Sequence, residues 1–427
     1  MLKILIATSY LPWPISEGGR VAQLRVLEAL KEDCEFTILY PAYIPEHEVD
    51  GDNFSKKYGA FKVLPVRCYE VKPNLDNLPL KLRLRRLIVS FLKRVFAVRK
   101  TKEPLGGVNV KAPAVPWYIF QPVHQRFVDE LESHVASNNY DVVQVEFTDL
   151  MSLSALLQGR MPSIFVHHQL HFIYEQRCLE CGASNSGYSQ YARARMRMEE
   201  CEYLKKFDRV ITFSDTDERL LRGFCPEARV EASPFPSPEP PIDEFRYNAG
   251  DEKSFCILAS EGNPPNVQGL DRFMREAWPL LKNHFPNLKI DIVGKWNDPS
   301  KRQIHAAEEL NFLGFVPDLT EYLRDKIMIV PIWIGSGIRT KILAAWAAAC
   351  PVITTSVGVE GLPGLPGEDY LLADNADQFA DCCHQMVENH EKRNRIARNC
   401  WNLTKEHFSL EAVRQKRLSI YNDLIRK

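Results

Sequence analysis

Val330-Pro-Ile-Trp-Ile-Gly-Ser-Gly-Ile-Arg-Thr-Lys-Ile-Leu-Ala-Ala-Trp-Ala-Ala-Ala-Cys-Pro-Val-Ile-Thr-Thr355 joins an apolar run, a pair of glycines, an alanine-rich run and a second apolar run in unbroken succession. The apolar run Ile327 to Pro331 that leads into it predicts a buried strand. The alanine-rich run after the glycines has high helix propensity, Pro351 stops that helix, and Val352 to Thr355 predict a second strand. Strand, glycine turn, helix and strand in one short stretch make a βαβ unit, and such a unit belongs to a parallel sheet. Gly335 and Gly337 free the backbone to meet a phosphate, and the helix that follows offers unpaired N–H donors at its start. Arg339 and Lys341 stand in its first turn, where cations oppose the helix dipole unless an anion binds beside them.

Working outward, the same alternation recurs on both sides. Short apolar runs at Leu2 to Ala7, Phe36 to Tyr40, Val142 to Val145, Ser163 to His167 and Arg209 to Phe213 predict strands of a first doubly wound domain. Five prolines between Pro234 and Pro241 forbid helix interior and central strand alike, so this segment is a linker. Beyond it, Phe255 to Ala259, Leu288 to Val293 and Asn311 to Leu313 join the two strands above in a second domain. The expected division is an N-terminal domain over residues 1–235 and a C-terminal domain over 248–407, with a terminal helix over 408–427. Ligands of such sheets bind beyond the carboxyl ends of the strands, which here means a cleft between two facing domains.

Composition narrows the classes. The chain has 427 residues, too many for one core, and its 45% hydrophobic and 26% charged content excludes wholesale disorder, collagen and coiled coil. Lys and Arg total 54 against 55 Asp and Glu, so net charge gives no case for nucleic-acid binding. The 11 cysteines follow no framework spacing and are read as free thiols of a reducing cytosolic compartment. No apolar run approaches the roughly 18 residues of a membrane span. Nine cations and no acid between Lys81 and Lys102, interleaved with apolar residues at helical spacing, suit either a solvated helix face or peripheral contact with the anionic inner face of a membrane.

Residues just after strand ends supply the candidate site. Gly18 and Gly19 open a helix after the first strand and let backbone approach a ligand or acceptor closely. His168, in Val166-His-His-Gln-Leu-His171, is the candidate for hydrogen-bonding a substrate hydroxyl at the cleft mouth. Cys178 and Cys181 have zinc-ligand spacing but lack a second cysteine pair in register, and Asp215-Thr-Asp217 after Ser214 is more simply a helix start than a metal site. No metal is expected.

Asn311-Phe-Leu-Gly-Phe-Val-Pro-Asp-Leu319, the Gly335-Ser-Gly turn with its helix, and Cys350-Pro-Val-Ile-Thr-Thr-Ser-Val-Gly-Val-Glu-Gly-Leu362 together resemble the donor half of family-four glycosyltransferases. Phe255 to Val267 and Ile292-Val-Gly-Lys295 resemble the strands that open that half, and His167 to Arg177 and Asp208 to Asp217 resemble acceptor-domain landmarks. The resemblance implies an α/β GT-B fold, two Rossmann-like domains facing a cleft, with the terminal helix crossing back onto the first. It further implies retaining, metal-independent transfer from a nucleotide sugar to a carbohydrate or lipid-linked acceptor in surface glycan or polysaccharide synthesis, with no cofactor besides the co-substrate. Carried over residue by residue, catalysis falls to His168, Arg339 and Lys341, donor binding to Gly262, Asn266, Gly335, Ser336, Gly337 and Glu360, and the acceptor side to Gly18 and Gly19.

The chain departs from the family pattern twice. Two glutamates usually stand eight positions apart; Ser336 and Ala344 occupy their places, and alanine cannot accept hydrogen bonds from ribose. Glu360 is the nearest carboxylate to substitute. The loop after the first strand of the donor half also lacks the usual cation, offering Glu261, Gly262, Asn263 and Asn266. These departures leave a second reading, a GT-B scaffold that has lost transfer and binds a partner or glycan.

Overall fold

The structure, a computed structural model, describes residues 1–14, 18–69, 122–137, 139–181, 186–247 and 254–426. The basic segment 81–102 lies outside the described residues. Continuous apolar runs form strands buried on both faces, as parallel sheets require. In the N-terminal half these are β1 (Leu2–Thr8), β2 (Cys34–Ala42), β3 (Lys62–Arg67), β4 (Val142–Glu146), β5 (Ser163–Val166), β6 (Arg209–Thr212) and β7 (Val230–Ala232). They pair in the order β3-β2-β1-β4-β5-β6-β7, every pair parallel.

The C-terminal half repeats the plan with β8 (Phe255–Leu258), β9 (Ile290–Val293), β10 (Leu310–Gly314), β11 (Ile327–Val330), β12 (Val352–Thr354) and β13 (Leu371–Leu372), in the order β10-β9-β8-β11-β12-β13. All of its pairs are parallel too. Two doubly wound α/β sheets in one chain are the GT-B architecture. In each sheet the strand order reverses beside its first strand, between β1 and β4 and between β8 and β11, so the two crevices suited to ligands open where Thr8, Glu146, Leu258 and Val330 end.

Five helices position the site: α1 (Gly18–Leu30), α2 (His171–Glu180), α3 (Asp215–Phe224), α4 (Thr340–Ala347) and α5 (Leu410–Ile425). Helix α4 is wholly apolar inside, with Ile342, Leu343, Ala345, Trp346 and Ala347 all at 0% exposure, so it packs rigidly behind the glycine turn. The start of α3 is capped by Ser214, whose hydroxyl accepts from the Asp217 amide; Asp215 and Asp217 are its first-turn acids. Helix α5 crosses back to the N-terminal sheet. Arg414 grips Asp33 at 2.6 and 2.7 Å, Lys416 reaches Glu231 at 2.6 Å, and the buried Tyr421 hydroxyl donates to Gln144 Oε1 at 2.7 Å.

No described helix is long and apolar enough to cross a membrane. Among the described residues the Tyr421–Gln144 bond is the side-chain hydrogen bond of this helix that is wholly out of water. Tyr421→Phe leaves the Gln144 oxygen unsatisfied and is expected to lower unfolding free energy by about 1–3 kcal/mol, read by urea denaturation.

Candidate active site

A cavity of about 1640 Å³ lies between the two sheets' carboxyl ends, lined from both halves of the chain. The N-terminal half contributes Gly18, Gly19, Phe147, Asp149 and His168, and the C-terminal half Gly262, Asn266, Gly335, Ser336, Arg339 and Lys341. Nine of the eleven residues expected from the sequence therefore meet in one place. Gly337 abuts it, and Glu360 does not line it.

The glycine turn is built for close approach. Gly335 has φ +154° and Gly337 φ +73°, both in the region that side chains resist. A Cβ on Gly335 would fall 2.3 Å from Arg339 Nη2, and one on Gly337 would stand 3.0 Å from the carbonyl oxygen of His168 in the facing domain. The Arg339 guanidinium is folded under the turn, where Nη1 donates to the Ser336 carbonyl at 2.6 Å and to that of Gly337 at 2.9 Å. Its Nε and Nη2 are shut off from solvent with no hydrogen-bond partner among the described residues, and burial pulls its pKa down to about 10, so it stays charged at neutral pH. The amides of Ser336, Gly337 and Ile338 donate to no described residue.

Lys341 supplies the second cation. Its Nζ donates to the Leu258 carbonyl and, at 2.7 Å, to Asn266 Oδ1, both neutral oxygens. Burial, with the Arg339 charge adding to it, pushes its pKa down to about 7. Asn266, whose amide group donates to Ser260 O at 3.4 Å, thus aims the ammonium rather than facing the cavity free-handed.

On the opposite wall His168 stacks on Phe147, with ring centroids 4.3 Å apart and planes 14° off parallel. Its Nε2 lies 3.0 Å from Glu146 Oε2, and its Nδ1 is buried without a hydrogen-bond partner among the described residues. The neighbouring histidines go elsewhere: His167 forms a fully buried pair with Glu200 at 2.6 Å, and His171, held neutral by burial with a pKa near 4, meets the Thr148 hydroxyl at 2.9 Å. The Gly18-Gly19 pair has a packing cause of its own, since a Cβ on Gly19 would stand 2.8 Å from the Phe147 ring and one on Gly18 3.1 Å from Thr340.

Glu360 stands apart from the other expected residues. Its carboxylate is held in two places by Arg177 of α2, at 2.5 and 2.8 Å, so it pairs with the other domain and does not line the cavity. Ala344 does line the cavity and brings no acceptor there. Sequence reasoning missed Asp149, Glu239 and Asp318, the carboxylates among the described lining residues. Asp149 accepts from Ser9 Oγ at 2.5 Å and is raised in pKa by burial; Glu239, from the proline linker, is raised for the same reason. Position after β4 is the signal that could have found Asp149.

Residues 254–389 match the family described as Glycosyl transferases group 1. Over the whole chain the structure is similar to sucrose-phosphate synthase from Thermosynechococcus elongatus, at 14% identity and TM-score 0.68, with 99% of each chain covered. It is also similar to Anabaena HepE solved with UDP, at 12% identity and TM-score 0.62, covering 99% of this chain and 100% of that one. A Staphylococcus aureus TarM variant, solved with fondaparinux, alpha-GlcNAc-glycerol and UDP, superposes at TM-score 0.64 and 11% identity over 99% and 100% of the two chains. In sequence the chain is 21% identical over 433 residues to an uncharacterized 44.6 kDa protein of the Klebsiella pneumoniae cps region, covering 97% and 98% of the two. The fold is the GT-B fold shared with these structures, and the family match covers residues 254–389.

The depressed lysine has a measurable sign. Between pH 7 and the ordinary lysine range the unfolded chain holds a proton that the folded one has released, so stability rises with pH through that window. Lys341→Met is expected to flatten this rise in thermal melts of the ligand-free protein between pH 7 and 10. An unchanged pH slope contradicts the placement of the ammonium. Gly335→Ala, which drives a methyl into the guanidinium, is expected to weaken nucleotide binding at least about tenfold by calorimetry.

Proposed function

We propose that the protein transfers a hexosyl-type sugar from a nucleoside-diphosphate donor to a hydroxyl of a carbohydrate or lipid-linked acceptor, with retention of configuration, in the synthesis of a surface glycan or polysaccharide. The observation that carries this reading is the pair of cations, Arg339 and Lys341, at the cavity end of α4 with only neutral oxygens as hydrogen-bond partners. Glu360 and Asp217 act on Arg339 only through space and no described acid offsets the burial of Lys341, so the charge taken out of water is unfavourable until an anion binds beside it. Three unused amides beside the cations give that anion oxygens to meet, and a diphosphate has both the charge and the acceptors.

In the transfer, the bond from the anomeric carbon to the diphosphate oxygen breaks and a bond to the acceptor oxygen forms. Negative charge grows on the leaving diphosphate, where the turn amides and the Lys341 ammonium stabilise it more in the transition state than in the bound donor. The acceptor's proton goes to the departing phosphate, the base that this charge separation creates. The protein's own N–H groups and cations do this work, with the nucleotide sugar as co-substrate and no separate cofactor. His168, stacked on Phe147, shapes the facing wall, and Asp149 accepts from acceptor hydroxyls at the end of β4. The ribose finds no carboxylate at Ala344, so nucleotide affinity rests on the diphosphate more than on the sugar hydroxyls.

The similar proteins support the substrate class: HepE and the TarM variant were solved with UDP, and the Klebsiella relative belongs to a cps region. The test is turnover with a panel of nucleotide sugars, scored by mass spectrometry for released nucleoside diphosphate. Lys341→Ala is expected to lower turnover by about two orders of magnitude with an intact fold. Full activity in that variant, or no turnover and no heat of binding with any donor for the unaltered chain, contradicts the proposal; the second result favours a binding scaffold.

A further inference from the structure

The glycine turn of the C-terminal domain is held partly from the other domain. Arg177 lies on α2 in the N-terminal half, 158 residues before Gly335, and its Nη1 donates both to the Gly335 carbonyl and to Glu360 Oε2. Nη2 takes the other Glu360 oxygen at 2.5 Å. The Ser336 hydroxyl donates to the Leu170 carbonyl at 2.9 Å, just ahead of the same helix.

A trans peptide points its C=O and the following N–H in opposite directions. Arg339 holds the carbonyls of Ser336 and Gly337, which turns the amides of Gly337 and Ile338 the other way. Arg177 does the same to the Gly335–Ser336 peptide. Three successive carbonyls are thus gathered onto two guanidinium groups, and the three successive amides that follow them are left free of described partners. Successive N–H groups displayed on one side make an anion-binding concavity.

We infer that Arg177 is a positioning residue for the anion site: by holding the Gly335 carbonyl from the facing domain it aims the Ser336 amide, so that the site is complete only while the two domains are docked. The inference rests on the diphosphate reading of this cavity. Its consequence is that opening the cleft removes one of three amide donors, which couples release of the nucleotide to domain motion. Simple interdomain attachment would need only the Arg177–Glu360 pair; the bond to Gly335 is the part that such attachment leaves unexplained.

Calorimetry with UDP and with inorganic pyrophosphate separates the two roles. Arg177→Met is expected to bind both at least about tenfold more weakly than the unaltered protein, the loss of one charge-assisted hydrogen bond. The double variant Arg177→Glu/Glu360→Arg restores an ion pair across the domains but puts an acceptor where the donor to Gly335 stood. It is expected to remain weak although small-angle scattering shows the unaltered radius of gyration. Arg177→Lys, with one ammonium to share, is expected to lose about three- to tenfold and serves as the reading if the methionine variant does not fold. Unchanged affinity in Arg177→Met or Arg177→Lys, or recovery to within about twofold in the charge swap, overturns the inference while leaving the diphosphate site standing. An unaltered protein that binds neither probe overturns both.

Discussion

An ammonium and a guanidinium drawn out of water at the start of a helix, hydrogen-bonded only to neutral oxygens and with Glu360 and Asp217 acting on the guanidinium through space, leave positive charge short of an anion. Helix α4 sets the problem: its dipole places positive potential where Arg339 and Lys341 already stand. Burial answers in part by lowering both pKa values, to about 10 and about 7. The rest of the answer is geometric. Arg339 spends its charge on the carbonyls of the turn, and Lys341 on Leu258 and Asn266, so the cations are fixed in place before any ligand arrives. Preorganisation of this kind needs the rigid apolar packing of α4 behind it and the strand ends of β8 and β11 beneath it.

The facing domain completes the cavity rather than merely covering it. Gly337 lies against the His168 carbonyl, Ser336 against Leu170, and Arg177 reaches both Gly335 and Glu360. Helix α5, tied to Asp33, Glu231 and Gln144, links the end of the chain to the N-terminal sheet, so the two domains are joined at the back by the linker and α5 and at the front by the turn. A cleft joined this way has a defined closed state.

Most of the sheet architecture is legible in the sequence because buried parallel strands are continuous apolar runs. The strands that escape notice lack that signature: β3 is Lys62-Val-Leu-Pro-Val-Arg67, an edge strand with charge at both ends and a proline inside, while β7 and β13 have three residues and two. Within the site, glycines and cations at fixed spacing announce the turn, since their conformational and electrostatic demands are local. Glu360 shows the limit. Its nearness to the turn in sequence suggested a ligand contact, but its partner is 183 residues away, and only the folded arrangement of two domains pairs it with Arg177. His168 is found by its strand-end position, whereas the Glu146 that fixes its ring is a charged residue inside a strand, unremarked because the strand's apolar run stops at Val145.

The cations and free amides of the turn suit the cavity to a pyrophosphoryl group. Titration of the unaltered protein with UDP and UMP at one ionic strength and pH below 7 tests this fit most directly, because the two ligands share base and ribose and differ by one phosphate. The account predicts that UDP binds at least about tenfold tighter than UMP. Equal affinities, or tighter binding of UMP, would contradict it.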